Sequence, residues 1–189
     1  GRATRAAPPI SKSAYAKAGV GSSGHQPVLL NEAIELLAPR PGGAYIDGTV
    51  GAGGHSREIL RRSSPNGRLL GIDRDPRAVP VAQANLAEFG ERVTCVAGNF
   101  AGIEKLAWMH GVAPVDGILF DLGVSSLQLD DPAHGFSLQR EGPLDLRFDP
   151  TAGIPAHQFI NTADEKRIAQ ILFQYGEERR ARLIARLIV

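Results

Sequence analysis

Four short apolar runs alternate with helical patterns along the chain: "AYIDGT", "RLLGIDRD", "RVTCVAGNF" and "VDGILFDLG". The middle of the fourth is apolar at consecutive positions, so it cannot turn one face to water. Strands of that kind, separated by helices, indicate a parallel sheet covered on both sides. The helical stretches are "HSREILRRS", "PRAVPVAQANLAEF" and "AGIEKLAWMHG". "VLLNEAIELLA" precedes them, ended by Pro39 and Pro41. In the second stretch Pro76 suits a first helical turn, whereas Pro80 sits less comfortably. The expected class is α/β, with a Rossmann-like parallel sheet.

After Asp121 the chain changes style. "GVSSLQLDDPAHGFSLQREGPLDLRFDPTAGI" is loop-rich, and two helices are expected beyond it, starting near 162–164 and near Glu177. Three regions follow: a leader over 1–24, a cofactor-binding domain over 25–124, and a loop and helical insertion over 125–189. The leader contains no acid and mixes Pro, Gly, Ser and Ala with Arg2, Arg5, Lys12 and Lys17. It reads as disordered, with an organelle transit segment as the alternative. Composition adds exclusions. The chain has 43% hydrophobic and 22% charged residues, as folded soluble proteins do. No run reaches the roughly 20 apolar residues of a membrane span. A net charge of +1 says nothing about an acidic partner, and the single Cys95 allows no internal disulfide. The histidines and the cysteine have no zinc-site spacing.

"YIDGTVGAGGHS" places four glycines directly after the first strand. In an open parallel sheet, ligands sit beyond the carboxyl ends of the strands. Glycines there let backbone N–H groups approach a ligand, and the next helix adds a positive N-terminus. The spacing G-x-x-G-x-G-G matches neither the dinucleotide fingerprint nor a phosphate-binding P-loop. The acid-then-glycine form from Asp47 through Gly51, Gly53 and Gly54 approximates the loop with which methyltransferases hold the methionine part of S-adenosylmethionine (SAM). A tight structural turn is the competing reading. Asp73 ends the second strand, placed to accept ribose hydroxyls. Asp75 reads as an exposed helix cap. Asn99 and Phe100 end the third strand, where an adenine could be packed, although a lone Phe there also suits a core. Asp121 ends the fourth strand, facing the same space.

Taken together, "HQPVLLNEA", "YIDGTVGAGGHS", "GIDRDP", "GNF", "VDGILFDLGVSSLQLDDPAHGFS", "GPLDLRFDP" and "YGEERRARLIARLIV" resemble the MraW/RsmH family of small-subunit ribosomal RNA methyltransferases. The likeness runs from His25 to Val189. The resemblance implies a class I methyltransferase fold with a helical insertion after the fourth strand. It implies SAM-dependent methylation of the exocyclic N4 of a cytidine in the decoding region of the small subunit. It places Gly53, Gly54 and His55 at the methionine end of SAM, Asp73 at the ribose and Phe100 at the adenine. Asp121 and Gln128 close the pocket, and the helices from about Pro155 help hold RNA. Leu127, Leu146 and Phe148 depart from the family pattern by apolar swaps. The family's chains run longer and add further strands, so the expectation is a fragment ending inside the insertion. A four-stranded sheet with an apolar edge is then expected to bind SAM weakly or to self-associate.

For mechanism, an acceptor for the N4–H bond would rehybridise a poorly nucleophilic nitrogen. Asp121 is the candidate, with cofactor holding as its other reading. Ser125 and Ser126 are candidates to touch the target base or are turn residues. His55 reads as a loop anchor. Arg179, Arg182 and Arg186 recur at helical spacing, opposite Leu183, Ile184, Leu187 and Ile188. They mark either a solvated face or a phosphate-binding one. The expected partner is ribosomal RNA in a cytoplasmic setting, with an organelle matrix if the leader is a transit segment. Competing functions are a SAM methyltransferase for DNA or a small molecule, a non-catalytic RNA-binding assembly factor, and a dehydrogenase.

Overall fold

The computed structural model describes residues 27–189. The leader expected over 1–24 lies outside the described residues. The chain divides into two compact units, one ending at Asp131 and the other running Pro132–Val189.

The first unit is built on a four-stranded parallel sheet in the order β3-β2-β1-β4. Its strands are β1 (Ala44–Asp47), β2 (Arg68–Asp73), β3 (Val93–Ala97) and β4 (Gly117–Leu119). The chain moves outward from β1 to β3, then returns to place β4 on the other side. This Rossmann-like order puts the reversal between β1 and β4. The helices are α1 (Leu30–Leu37), α2 (Gly54–Arg62), α3 (Ala78–Asn85) and α4 (Ile103–Met109). Successive strand residues alternate between two cores. Tyr45 and Leu69 pack with Ile34, Ile59, Leu60 and Leu86 on one face. Ile46, Leu70 and Ile72 pack with Ala107 and Val112 on the other. Every residue of β1 is buried, which explains why its sequence lacks an alternating pattern. Each fully buried Leu or Ile contributes roughly 1.5–3 kcal/mol of transfer free energy.

Three local expectations are corrected. Pro76 lies in the turn before α3, and Pro80 takes the third helical position. A first-turn residue needs no N–H partner, so Pro80 fits where it stands. Asp75 is wholly buried, where an exposed cap was expected. Its carboxylate accepts the Arg77 backbone N–H and the Arg77 Nε–H, both at 3.0 Å. The loop expected after β4 contains a short helix, α5 (Ser126–Asp130).

The second unit holds α6 (Ala156–Thr162), α7 (Glu165–Gln174) and α8 (Ala181–Ile188). Asp164 caps α7 by accepting the Arg167 N–H at 2.7 Å. The last helix begins later than Glu177, which adopts left-handed backbone with φ 51° and breaks the helical run. Arg179 therefore precedes α8. The packed face of α8 is Ala181 and Ala185, both buried, with Ile184 partly buried. Leu183 and Leu187 are 52% and 78% exposed, so they do not share that face as expected. On the helical wheel they flank it on one side, and Arg182 and Arg186 flank it on the other. Alanines at the contact let the two helix backbones approach closely, which Leu at the same positions would prevent. Among the described residues no helix is long and apolar enough to cross a membrane.

Candidate cofactor site at the carboxyl ends of the strands

The loop after β1 is held from three sides. Asp47 ends β1 and is buried to 1%. It accepts the Ser56 hydroxyl at 2.6 Å and the Thr49 N–H at 3.1 Å. Burial pushes its carboxyl up from the ordinary 3.8, partly offset by those two hydrogen bonds. Asp73, at the end of β2, accepts the Gly51 N–H at 2.8 Å and the Asp75 N–H at 2.9 Å. Its carboxyl is also raised by burial, against the pull of those amides. Each oxygen keeps a second lone pair, so the carboxylate retains acceptor capacity. On the third side, the Asp121 N–H donates to Thr49 Oγ1 at 2.7 Å, fastening the end of β4 to the loop.

Gly53 caps α2 with φ 87°, a backbone conformation that side-chain-bearing residues rarely adopt. The first-turn amides of α2 follow directly. The missing Cβ positions do not all face open space. Gly48 lies against the Phe120 ring, Gly53 against Leu86 and Gly54 against Pro27. Only Gly51 has ordinary room, its nearest neighbour being the Thr49 carbonyl at 3.9 Å. Glycine at 48, 53 and 54 therefore serves close packing of the loop, and the bare surface offered outward centres on Gly51.

His55 is buried to 6%. Its Nε2 lies 3.2 Å from the Val28 carbonyl. A carbonyl only accepts, so Nε2 carries the hydrogen in this contact. Its Nδ1 stands 3.9 Å from Asp121 Oδ2. The Asp121 side chain is 48% exposed, so it meets solvent as well as the loop. At the end of β3, the Gly98 N–H donates to the Asp73 carbonyl at 2.8 Å. Asn99 then caps a short turn by accepting the Ala101 N–H at 2.9 Å. Phe100 is 39% exposed and meets Phe120 edge-on, with ring centroids 5.2 Å apart. The structure thus gathers Asp47, Gly51, Gly53, Gly54, His55, Asp73, Asn99, Phe100 and Asp121 at the carboxyl edge of the sheet.

Ser125 and Gln128 form a reciprocal cap on α5. The Gln128 N–H donates to Ser125 Oγ at 3.3 Å, and the Ser125 N–H donates to Gln128 Oε1 at 2.9 Å. Gln128 is buried to 4%, and Ser126 opens the helix. Arg179, Arg182 and Arg186 belong to the second unit.

Four residues of the site escaped the sequence reading. Thr49 anchors Asp121, and Ser56 partners Asp47. Phe120 supplies the second aromatic ring. Arg77 bridges Asp75 to Asp131, the latter at 3.2 Å. Only Phe120 left a signal, as the aromatic residue next to Asp121. The other three depend on tertiary pairing that no spacing announces.

Comparison with known proteins identifies the family. The chain is 54% identical over 168 residues to a ribosomal RNA small subunit methyltransferase H of Thermomicrobium roseum, covering 89% of this chain and 52% of the relative. It is 51% identical over 165 residues to the protein of that name in Symbiobacterium thermophilum, and 49% identical over 165 residues to the one in Syntrophobacter fumaroxidans. Each of these two alignments covers 87% of this chain and 52% of the relative. The chain therefore spans about half the length of the curated relatives it matches. Residues 22–189 match a single family description, and the chain belongs to the MraW methylase family.

Proposed function

We propose that this protein transfers a methyl group from SAM to the exocyclic N4 of a cytidine in the decoding region of small-subunit ribosomal RNA. The observation that carries the reading is the Asp121–Thr49 bond at 2.7 Å, which holds a partly exposed carboxylate beside the glycine loop.

The residues present suit SAM. Gly51 leaves open backbone, the α2 N-terminus presents amides to an amino-acid carboxylate, and Asp73 keeps lone pairs for ribose hydroxyls. Phe100 and Phe120 offer an aromatic wall for an adenine. Gly53, Gly54 and His55 complete the methionine end, with Asp47 fixing the loop from beneath. When bound, the cofactor supplies an electrophilic methyl on sulfur. Asp121 accepts one N4–H bond, drawing the nitrogen out of conjugation and exposing its lone pair. Positioning and electrostatics then do most of the work. The proton released after methylation passes by way of Asp121 to solvent. The target base must leave any stack to reach this edge of the sheet. Gln128 closes the pocket, and Ser125 and Ser126 stand by the entering base. Arg179, Arg182 and Arg186 engage the RNA backbone.

This substrate places the work in the cytoplasm, on the small ribosomal subunit. A second copy is proposed to pair against the apolar side chains of Ile118, Leu122 and Val124, which are 43%, 71% and 43% exposed. Incubation with SAM and unmodified small-subunit rRNA, read by mass spectrometry, tests the activity. N4-methylcytidine is expected; SAM binding without any methylated cytidine would instead favour an assembly factor. Sedimentation across concentration tests the pairing.

A further inference from the structure

Three charged side chains from separate parts of the first unit meet beside the carboxyl edge of the sheet. The Asp75 side chain is fully buried, and those of Arg77 and Asp131 are 19% and 12% exposed. The Arg77 guanidinium serves both carboxylates at once. Its Nε–H donates to Asp75 Oδ1 at 3.0 Å, and its Nη1–H donates to Asp131 Oδ2 at 3.2 Å. On one side, the Asp75 N–H donates to Asp73 Oδ1 at 2.9 Å, while Asp73 Oδ2 accepts from Gly51. On the other, the Asp131 N–H donates to the Leu127 carbonyl at 3.1 Å and ends α5. A single side chain joins the turn that follows Asp73 to the helix that carries Gln128.

α5 is five residues long. A helix that short does not sustain itself in water, because nucleation fixes several residues for one hydrogen bond. The Ser125–Gln128 cap shapes its first turn but fastens it to nothing outside the helix. Arg77 supplies an outside link, 54 positions away in sequence. A guanidinium can make this link because its N–H groups fan out in a rigid fork, whereas an ammonium is a compact point charge. The buried Asp75 already has the Arg77 backbone N–H and Nε–H as partners. The Nη1–H contact is not required for that, and it reaches α5 instead. We propose that Arg77 is a positioning residue for methyl transfer: it holds α5, and with it Gln128, against the pocket where Asp73 grips the ribose. It acts through Asp75 and Asp131 and needs no contact with the cofactor. The assignment rests on the SAM-methyltransferase reading above.

Two variants cut the link from opposite ends. Arg77→Lys keeps a cation beside the buried Asp75 but loses the fork. Asp131→Ala removes the far acceptor and leaves the Arg77–Asp75 contacts in place. Each, and the two combined, are compared with the unaltered protein by calorimetry with SAM. Hydrogen exchange over residues 125–131 is measured without SAM, at a temperature where thermal denaturation shows every variant folded. Each single variant is expected to weaken SAM binding and to speed exchange over 125–131 about tenfold, the scale of one lost hydrogen bond to a charged group. Exchange in β1 is expected to stay as it was. The combined variant is expected to be no worse than either single one, because both remove the same link. A role confined to stability lowers the melting temperature and leaves the SAM affinity of the folded variants unchanged. That result overturns the proposal, as do additive losses in the combined variant. The cofactor reading fails separately. Unaltered protein that binds no SAM sinks that reading, while exchange over 125–131 still decides whether Arg77 holds α5. Normal SAM binding with unchanged exchange in the variants keeps the reading and removes the positioning role.

Discussion

Asp73 takes the Gly51 N–H at 2.8 Å across 22 residues, so the acid that ends β2 also fixes the loop that ends β1. One side chain thereby couples the shape of the glycine loop to the proposed grip on the ribose. Asp73→Ala removes the acceptor for both Gly51 and Asp75. Stability is expected to fall by about 1–3 kcal/mol, the cost of leaving partly buried amides without partners. SAM affinity is expected to fall roughly tenfold or more, since hydrogen bonds to a charged group are among the stronger ones. Calorimetry and chemical denaturation on the same preparation separate the two losses.

The elevated carboxyl of Asp73 also predicts a pH profile for binding. A carboxyl raised above 3.8 becomes protonated at a higher pH than an ordinary aspartate. Protonation takes away the acceptor that ribose hydroxyls need. SAM affinity is therefore expected to decline on acidification beginning above the ordinary aspartate range. Asp73→Asn should bind more weakly and show a flatter profile over that window. Calorimetric titrations at successive pH values decide this, and identical profiles would exclude Asp73 as the titrating group.

Asp47 gives a stability prediction of definite sign. Its native carboxyl is raised, so the folded state holds the proton more tightly than the unfolded chain. Its contribution is complete below the unfolded value of 3.8 and is lost as pH rises through the higher native value. Asp47→Asn, which cannot titrate, is expected to lack that segment of the stability–pH curve. Ser56→Ala leaves a buried carboxylate oxygen without its hydroxyl and should cost about 1–3 kcal/mol. Urea unfolding at a series of pH values measures both.

We propose that Asp121 affects chemistry more than binding. Its side chain is half-exposed, and its backbone N–H rather than its carboxylate ties it to Thr49. Asp121→Ala should keep that backbone bond. Turnover is expected to fall about a hundredfold, the usual scale for one lost electrostatic contact at a reacting centre, with KM for SAM changing far less. A variant whose turnover is intact while its SAM affinity drops would reassign Asp121 to cofactor holding.

In the second unit, Ala185 is fully buried in the packed face of α8. Ala185→Leu overfills that contact and should destabilise by about 1–3 kcal/mol. The reverse substitution at the 78%-exposed Leu187, Leu187→Ala, should change stability little. Thermal denaturation of the two variants compares them directly.

Much of this was legible in the chain itself. Strands apolar on both faces indicated a covered parallel sheet, as β1 is, whereas β4 leaves Ile118 43% exposed; the glycines after β1 and Asp73 after β2 marked the edge proposed to hold the cofactor. Those features are local: a run of apolar residues or a glycine keeps its meaning wherever the chain goes. Pro80 was misjudged because the helix starts at Ala78, after Pro76, whereas Asp75 and the face of α8 were misjudged because their environments are made by distant residues. Asp75 is buried through the turn that Arg77 closes, and Arg77 reaches Asp131, 54 positions on. The packed face of α8 is set by what fits against α7, and small Ala181 and Ala185 fit where the larger Leu183 and Leu187 would hold the helices apart. Periodicity determined that α8 is amphipathic; packing in three dimensions decided which of its apolar residues are inside. Spacing likewise indicated a loop for a ligand, while the partners that give the loop its shape, Ser56, Thr49 and Asp121, were brought together only by the fold, because hydrogen bonds between remote residues depend on distance in space and leave no pattern along the chain.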